Sequence, residues 1–307
     1  FKTNIGPIED QSSVVYLRPE TAQGQFVDFK TILNTNPKRL PFGIAQIGKA
    51  FRNEITTGNF LFRLRELEQM EIEYFIKEDQ WQEQYEHWRK QMWSWFELVG
   101  IDSKKVTEHE IPDGERAHYS KRTIDFEFDY PFGTKELYGL AYRTNYDLTQ
   151  HARHSGQDLS YTDSDTGEKP IPHVIEPSWV LDRTFLTVLL SAYSEEGDRV
   201  VLKLQPRIAP YKVAVFPLVR NKPELTEKAQ GLYKHLKLDV GLSAVWDDRG
   251  NIGKRYYAQD EIGTPWCVTV DYQTLEDETV TVRDRDTAIQ VRLRISELDS
   301  YFTGKLK

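Results

Sequence analysis

From Glu66 to Phe75 the chain reads ELEQMEIEYF, and its residue types change with a period of two. That period is the mark of a strand, whose successive side chains leave on opposite faces. Extended back to Arg63, the rule puts Arg63, Arg65, Leu67, Gln69, Glu71 and Glu73 on one face. Leu64, Met70, Ile72 and Tyr74 take the other, with Glu66 and Glu68 near its start. Upstream, Arg52 and Glu54 in FRNEI share a face in the same way, and the turn TTGN predicts a hairpin joining the two segments. The hairpin carries arginines at one end and carboxylates at the other. Arginines clamp phosphate oxygens through forked, charge-assisted bonds, and carboxylates hold an ammonium or a divalent cation. Such a surface suits a nucleotide together with an amino acid. On spacing alone the favoured reading is simpler: a solvated sheet face laced with cross-strand ion pairs.

The surrounding chain reads as strands and turns from Val14 to Phe75, then as a helix over WQEQYEHWRKQMWSWFELVG. There Trp81, Tyr85, Trp88, Met92, Trp95 and Val99 fall on one face, with Gly100 as the stop. An aromatic stripe of this kind is expected to pack on a sheet rather than to stack bases. In RTIDFEFDYPFG, Ile124, Phe126, Phe128 and Tyr130 alternate with Asp125, Glu127 and Asp129, which predicts a strand whose carboxylates face solvent. His151 to Pro172 is polar and reads as a surface loop. SWVLDRTFLTVLLSAYSEEG reads as a strand end entering a buried helix. After LQPRIAPYKVAVF the pattern changes to alternating strands and helices: Val213–Leu218 apolar, Glu224–Leu236 helical, and strands at Ala244–Trp246, Trp266–Asp271 and Thr279–Arg283. About a hundred residues in that rhythm make a compact α/β module.

With 307 residues there is room for two domains and a substantial core. Cys267 is the one cysteine, which excludes an internal disulfide and points to a reducing, cytoplasmic compartment. No apolar run reaches bilayer length. The opening FKTNIGPIED has neither a targeting pattern nor a natural start, so further sequence is expected upstream. A net charge of −8 argues against non-specific coating of nucleic acid but leaves room for a local basic groove. His151 and His154 have no cysteine or third histidine near them in sequence, so a surface pair is expected rather than a zinc site. Cys267 is expected in the core.

Five blocks, in order, carry a resemblance: YLRPETAQGQFVDFK, LPFGIAQIGKAFRNEI, RELEQMEIEYF, GEKPIPHVIEPS and GKRYYAQDEIGTPWCVTVDYQTLEDETVTVRDRDT. They resemble the class II aminoacyl-tRNA synthetases, and within them the dimeric glycyl-tRNA synthetases. Several long blocks in one order are far more specific than a single short pattern. The resemblance implies an α+β protein: an antiparallel class II catalytic sheet flanked by helices over residues 1–205, then an α/β anticodon-binding domain over 206–307. It also implies ATP-dependent ligation of glycine to tRNA(Gly) through a glycyl-adenylate, with Mg2+ accompanying ATP, in a homodimer. Motif 1, the family's dimer-interface element, lies upstream, so dimerisation rests on the resemblance alone.

By that resemblance Arg52 holds the α-phosphate and the glycine carboxylate, Glu54 reads the adenine amino group, and Arg63 reaches the terminal phosphates. Arg183 stacks over adenine. Arg52, Arg183 and Glu136 form the catalytic set, and Glu136 is the magnesium ligand. The ATP-binding segments also take in Asn53, Phe62, Leu64, Arg65, Glu66, Leu67, Leu137, Val180, Leu181 and Asp182. The glycine pocket is implied to comprise Glu20, Glu71, Arg143, Glu176 and Ser178, with Leu67, Glu68, Gln69 and Met70 beside them. Glutamates would hold the ammonium, arginine the carboxylate, and crowding would exclude any side chain. Strict alternation sets Glu136 and Arg143 on opposite faces, so either a bulge intervenes or one of them leaves the strand.

The chain departs from the family pattern at Leu67, where a phenylalanine stacks on adenine, and at Val180, where a glycine is usual beside Trp179. Asn145 stands for aspartate, and Tyr257 and Ala258 for arginines. Two other readings are a synthetase-like accessory protein that binds nucleic acid without catalysis, and a relative that charges something other than tRNA. The retained Arg52, Glu54, Arg63, Arg183 and Glu176 favour the enzyme over the first, and the anticodon-type module argues against the second.

Overall fold

The computed structural model describes residues 1–8, 10–36 and 38–306. They form two compact units: Phe1–Glu97 with Asp102–Thr187, and Leu98–Ile101 with Val188–Lys307.

The first unit opens with a short antiparallel ribbon, β1 (Lys2–Asn4) and β2 (Val14–Tyr16). Then come α1 (Ala22–Thr35), β3 (Phe42–Phe51), β4 (Glu66–Ile76), α2 (Trp81–Val99), β5 (Val106–Glu110), β6 (Arg122–Tyr130), β7 (Gly133–Thr144), α3 (Tyr146–Ser155), β8 (His173–Val180) and α4 (Leu181–Ala192). The six long strands pair antiparallel throughout in the order β3-β4-β8-β7-β6-β5.

α2 lies on one face of this sheet with its aromatic stripe inward. Trp81 stacks on Tyr142, Phe96 stacks on Tyr138, and the Tyr85 hydroxyl donates to the Leu140 carbonyl. The stripe is a packing face, as its spacing predicted.

The other face corrects three expectations. The stretch after Val14 is not all strands and turns, because Ala22–Thr35 is helical. Ala22, Phe26 and Phe29 are fully buried, and with Leu33 they pack against Phe75, Leu148 and Val174. Gly24 and four β-branched residues, Val27, Thr31, Ile32 and Thr35, weaken helix propensity there, but burial of one face outweighs it. Second, α1 covers part of β4, so Gln69, Glu71 and Glu73 are 2%, 3% and 0% exposed rather than solvated. Third, the polar stretch from His151 begins as the end of α3, which closes at Gly156 with a φ of +70°.

β7 carries two register shifts, one opposite Phe126/Glu127 and one at Tyr142/Thr144. Each extra residue flips the alternation. Glu136, Gly139 and Ala141 therefore line the same cavity, while Leu137 and Tyr138 are buried away from it. Arg143 sits at the second shift.

The second unit holds the ribbon β9 (Tyr193–Glu196) and β10 (Arg199–Leu202), then β11 (Val213–Pro217), α5 (Pro223–Lys234), β12 (Ala244–Trp246), α6 (Ile252–Ile262), β13 (Trp266–Val270), α7 (Tyr272–Asp277), β14 (Thr279–Asp284), β15 (Gln290–Arg294) and α8 (Leu298–Lys305). Its sheet runs β12-β11-β13-β14-β15, with β11 parallel to both neighbours and the last two pairings antiparallel. β11 and β13 are buried along their whole length, as expected for parallel strands covered on both faces. Cys267 lies in β13, 1% exposed, and burial pushes its thiol up. No helix among the described residues is long and apolar enough to cross a membrane.

Candidate active site

The uncovered part of the β4–β8–β7 face forms a cavity of about 290 Å³. Glu20, Gln69, Glu71, Glu176 and Ser178 line one end, Glu136 and Asp125 another, and Arg52 also borders it. Register explains the convergence. β4 and β8 pair Glu71 with Ser178, and the Ser178 hydroxyl donates to Glu71 Oε1 at 3.0 Å. Gln69 Nε2 donates to the same oxygen at 2.9 Å, while Thr21 donates its backbone N–H, at 3.0 Å, and its hydroxyl to Glu71 Oε2. Thr21 immediately precedes α1, so that helix both covers the strand and anchors this carboxylate.

Arg143, 1% exposed, is already committed. Its Nε and Nη2 donate to Asp147 at 2.8 and 2.9 Å, its Nη1 to Glu176 at 2.6 Å, and Glu20 stands 3.8 Å away. The guanidinium lies between the Tyr119 ring at 3.9 Å and the Phe26 ring at 5.4 Å. Its donors therefore hold carboxylates in place; the arginines lining the cavity are Arg52 and Arg116, and Arg116 is itself paired with Asp113. Burial, opposed by Arg143, pushes the Glu176 carboxyl up to about 7.

Arg52 also borders a second, smaller cavity with Glu54, Phe62, Arg63, Leu64, Leu67, Val180 and Arg183. Two of the residues that depart from the family pattern, Leu67 and Val180, thus share one recess. Arg183 packs on the Phe62 ring at 4.5 Å, reaches Glu136 at 3.2 Å and donates to the Phe62 and Glu136 carbonyls. Arg63 is 3.7 Å from Glu54.

Several expected site residues do something else. β4 begins at Glu66, so Arg63 and Arg65 lie in the connection before it, where the bridge between Gly58 and Arg63 closes the turn. Arg65 braces that connection through the carbonyls of Glu54 and Ile55. Asp182 accepts the Glu68 backbone N–H at 2.9 Å, tying the start of α4 to β4. Glu66 pairs with Lys49 and is exposed, as is Asn53; Leu181 is half-buried. Met70 faces away from the cavity, toward Ile72, Trp88 and Trp179, and Leu137 is turned into the core by the bulge.

Other residues at the site were not singled out from the sequence. Asp147 follows Arg143 by four residues, which is visible as a spacing, but the two meet only because Thr144 turns the chain with a φ of +59° into α3. Asp125 belongs to the alternation expected to be solvated. Instead it faces the cavity, and burial, reinforced by Glu136, pushes its carboxyl up to about 6. Glu73 is fully buried, and neither of its oxygens has a hydrogen-bond partner among the described residues. No group of three or more metal-ligating side chains occurs among the described residues. His151 Nε2 donates to Gln23 Oε1 at 2.8 Å, and His154 is exposed.

Comparison with known proteins adds to this geometry. A family profile described as "Anticodon binding domain" matches residues 212–305. The whole chain aligns with curated glycine–tRNA ligases: 51% identical over 311 residues to that of Caldanaerobacter subterraneus subsp. tengcongensis, 46% over 337 residues to that of Thermus thermophilus, and 48% over 318 residues to that of Streptomyces coelicolor. It spans 66% of the first two and 68% of the third.

Proposed function

The chain belongs to the glycine–tRNA ligase family, and from that premise we propose that it activates glycine with ATP and transfers it to tRNA(Gly), residues 1–205 carrying the chemistry and 206–307 binding the anticodon. The observation that carries this reading is a single cavity bordered both by buried carboxylates and by Arg52, on a rigid antiparallel sheet. Glycine offers an ammonium and a carboxylate and nothing else. Glu71, with donors already fixed on both oxygens, and Glu176 suit the ammonium; Arg52 suits the carboxylate and the α-phosphate it attacks. This reading gives Arg143 the task of holding Glu176 rather than touching substrate.

The reaction needs no protein nucleophile. The glycine carboxylate oxygen attacks the α-phosphorus, the bond to the bridging oxygen breaks, and pyrophosphate leaves. A terminal ribose hydroxyl of tRNA then attacks the adenylate carbonyl and AMP leaves. Positioning and stabilisation of phosphoryl charge supply the rate. Arg63 and Arg183 suit the terminal phosphates and adenine. Two carboxyls facing one cavity, Glu136 and Asp125, fit a hard divalent cation, and few protein ligands suffice for one that arrives on phosphates. Mg2+ bound there supplies neutralisation of phosphate charge.

A second copy of the chain is part of this proposal through family membership. Exchange of pyrophosphate into ATP tests the reading: glycine is expected to support it and alanine or serine to fail by a wide margin. Equal exchange with alanine would sink the assignment.

A further inference from the structure

β4 and β8 set two buried glutamates opposite one another. The register that pairs Glu71 with Ser178 and Tyr74 with Ile175 sets Glu73 opposite Glu176. Directly opposed side chains on antiparallel strands have Cβ atoms about 5 Å apart, and like charges so placed repel. Both are buried, Glu73 at 0% and Glu176 at 7% exposure. Among the described residues Glu176 has one ion-pair partner, Arg143, which also holds Asp147, and Glu73 has no hydrogen-bond donor. Glu73 is faced by Glu176 on β8, Arg143 on β7, Glu71 on its own strand and Asp147 on α3. Uncharged Gln25 on α1 accepts its backbone N–H. Glu176 is faced by Arg143, Glu71 and Glu20, and its charge reaches the Tyr119 hydroxyl above Arg143. One guanidinium thus stands among Glu20, Glu71, Glu73, Asp147 and Glu176, a surplus of carboxyls that low-dielectric surroundings do not tolerate fully ionised.

We propose that the empty pocket stores a proton shared by the opposed carboxyls of Glu73 and Glu176, and that the ammonium of the amino-acid substrate displaces it on binding. The exchange balances: one carboxyl O–H bond breaks, its electron pair stays on the carboxylate, the proton leaves to solvent, and the entering ammonium replaces the proton's charge. Glu73 is therefore a positioning residue. It does not touch substrate; it sets the pH at which Glu176 becomes an anion. Titration belongs to the pair rather than to either member. The inference rests on the amino-acid-activating reading of this cavity.

The test is calorimetric titration of glycine into the full chain in two buffers of different ionisation enthalpy. It is joined by the pH dependence of the glycine KM in pyrophosphate exchange. Release of roughly half a proton per glycine is expected at pH 7, with the KM rising about tenfold per pH unit on the acid side. Glu73→Gln removes the opposing carboxyl and leaves Glu176 with Arg143, Glu71 and Glu20. Its release at pH 7 is expected to fall close to zero, and its acid limb to move about one pH unit lower. Glu73→Met repeats the test with an apolar side chain of similar size, should the amide disturb packing. Buffer-independent heats in the wild type would overturn the proposal. So would release unchanged in both variants, which would make Glu73 a structural residue only, or a glycine KM raised tenfold or more at pH 7 in both, which would make it an ionised ligand. Failure of the underlying reading looks different: glycine would neither bind nor support exchange in any form of the protein.

Discussion

Around Asp260 in the second unit, one carboxylate takes Arg283 through both oxygens, at 2.8 and 3.0 Å, and Arg199 at 3.1 Å. Around Arg143 in the first unit, one guanidinium takes Asp147 and Glu176, with Glu20, Glu71 and Glu73 close by. Their charge balance differs: near Asp260, Glu196 also pairs with Arg199 at 3.5 Å and Asp286 with Arg285 at 2.8 Å, so acids and arginines match, whereas carboxyls outnumber the guanidinium around Arg143. The arginines near Asp260 are fully occupied: Arg199 also donates to the Arg285 carbonyl, and Arg285 to the carbonyls of Leu204 and Gly263 and to Asp286. The surplus carboxyls near Arg143 are not, since Glu73 lacks a donor altogether among the described residues. The difference follows from chemistry. A guanidinium cannot shed its charge in a protein, so every buried one must be satisfied by the fold itself. A carboxylate can take up a proton and wait. A surplus of carboxyls is thus a state that a cationic ligand can complete, whereas a matched set of arginines and carboxylates is finished architecture.

Three substitutions break or sharpen this contrast. The largest effect on stability is expected from Asp260→Ala, which strands the buried Arg283 guanidinium and takes from Arg199 one of its two carboxylates; about 3–5 kcal/mol should be lost in denaturant unfolding of the second unit. A loss below about 1 kcal/mol would mean that water reaches Arg283 and Arg199. Arg143→Met is the mirror experiment. The stranded carboxyls can protonate, so stability should fall by only about 1–2 kcal/mol, less than at Asp260. Glycine-dependent exchange should nevertheless drop by about two orders of magnitude, because Glu176 loses its fixed position. Equal destabilisation at the two sites would remove the distinction.

The smallest effect has the opposite sign. Glu73 is held well above the ordinary carboxylate range by burial and by Glu176, so its native form binds a proton that the unfolded chain gives up. For a group raised in this way, stability is fully present below the unfolded pKa and is lost as pH rises toward the folded value. Glu73→Gln removes that loss. Its melting temperature should exceed the wild type's by a few degrees at pH 7.5 and match it near pH 4.5. A variant less stable than wild type at both pH values would show Glu73 to be a charged, compensated residue.

Much of the architecture was legible in the chain. The period of two marked β4 and β6, the stepped aromatics marked α2, and the alternating apolar segments after Val213 marked the strands of the second unit. Five ordered blocks marked the family. α1 was missed although Ala22, Phe26, Phe29 and Leu33 carry a helical spacing, because short stretches of it also read as strand and turn. The bulge that aligns Glu136 with the cavity was open as one of two possibilities, and pairing with β6 decided it.

What the sequence determined by itself was which side chains share a strand face, because the period of a strand is a local covalent property. It did not determine whether that face meets water. Gln69, Glu71 and Glu73 read as solvated, and they are buried because α1 returns over them and β8 sets a second glutamate opposite the last of the three. Charge state follows from that placement. Whether a carboxyl is ionised depends on the solvent and the charges within a few ångströms of it, and those come from segments as far apart in the chain as Thr21, Glu73, Arg143 and Glu176. Tertiary structure alone turned a row of ordinary acidic residues into a pocket that holds fewer charges than it has carboxyls.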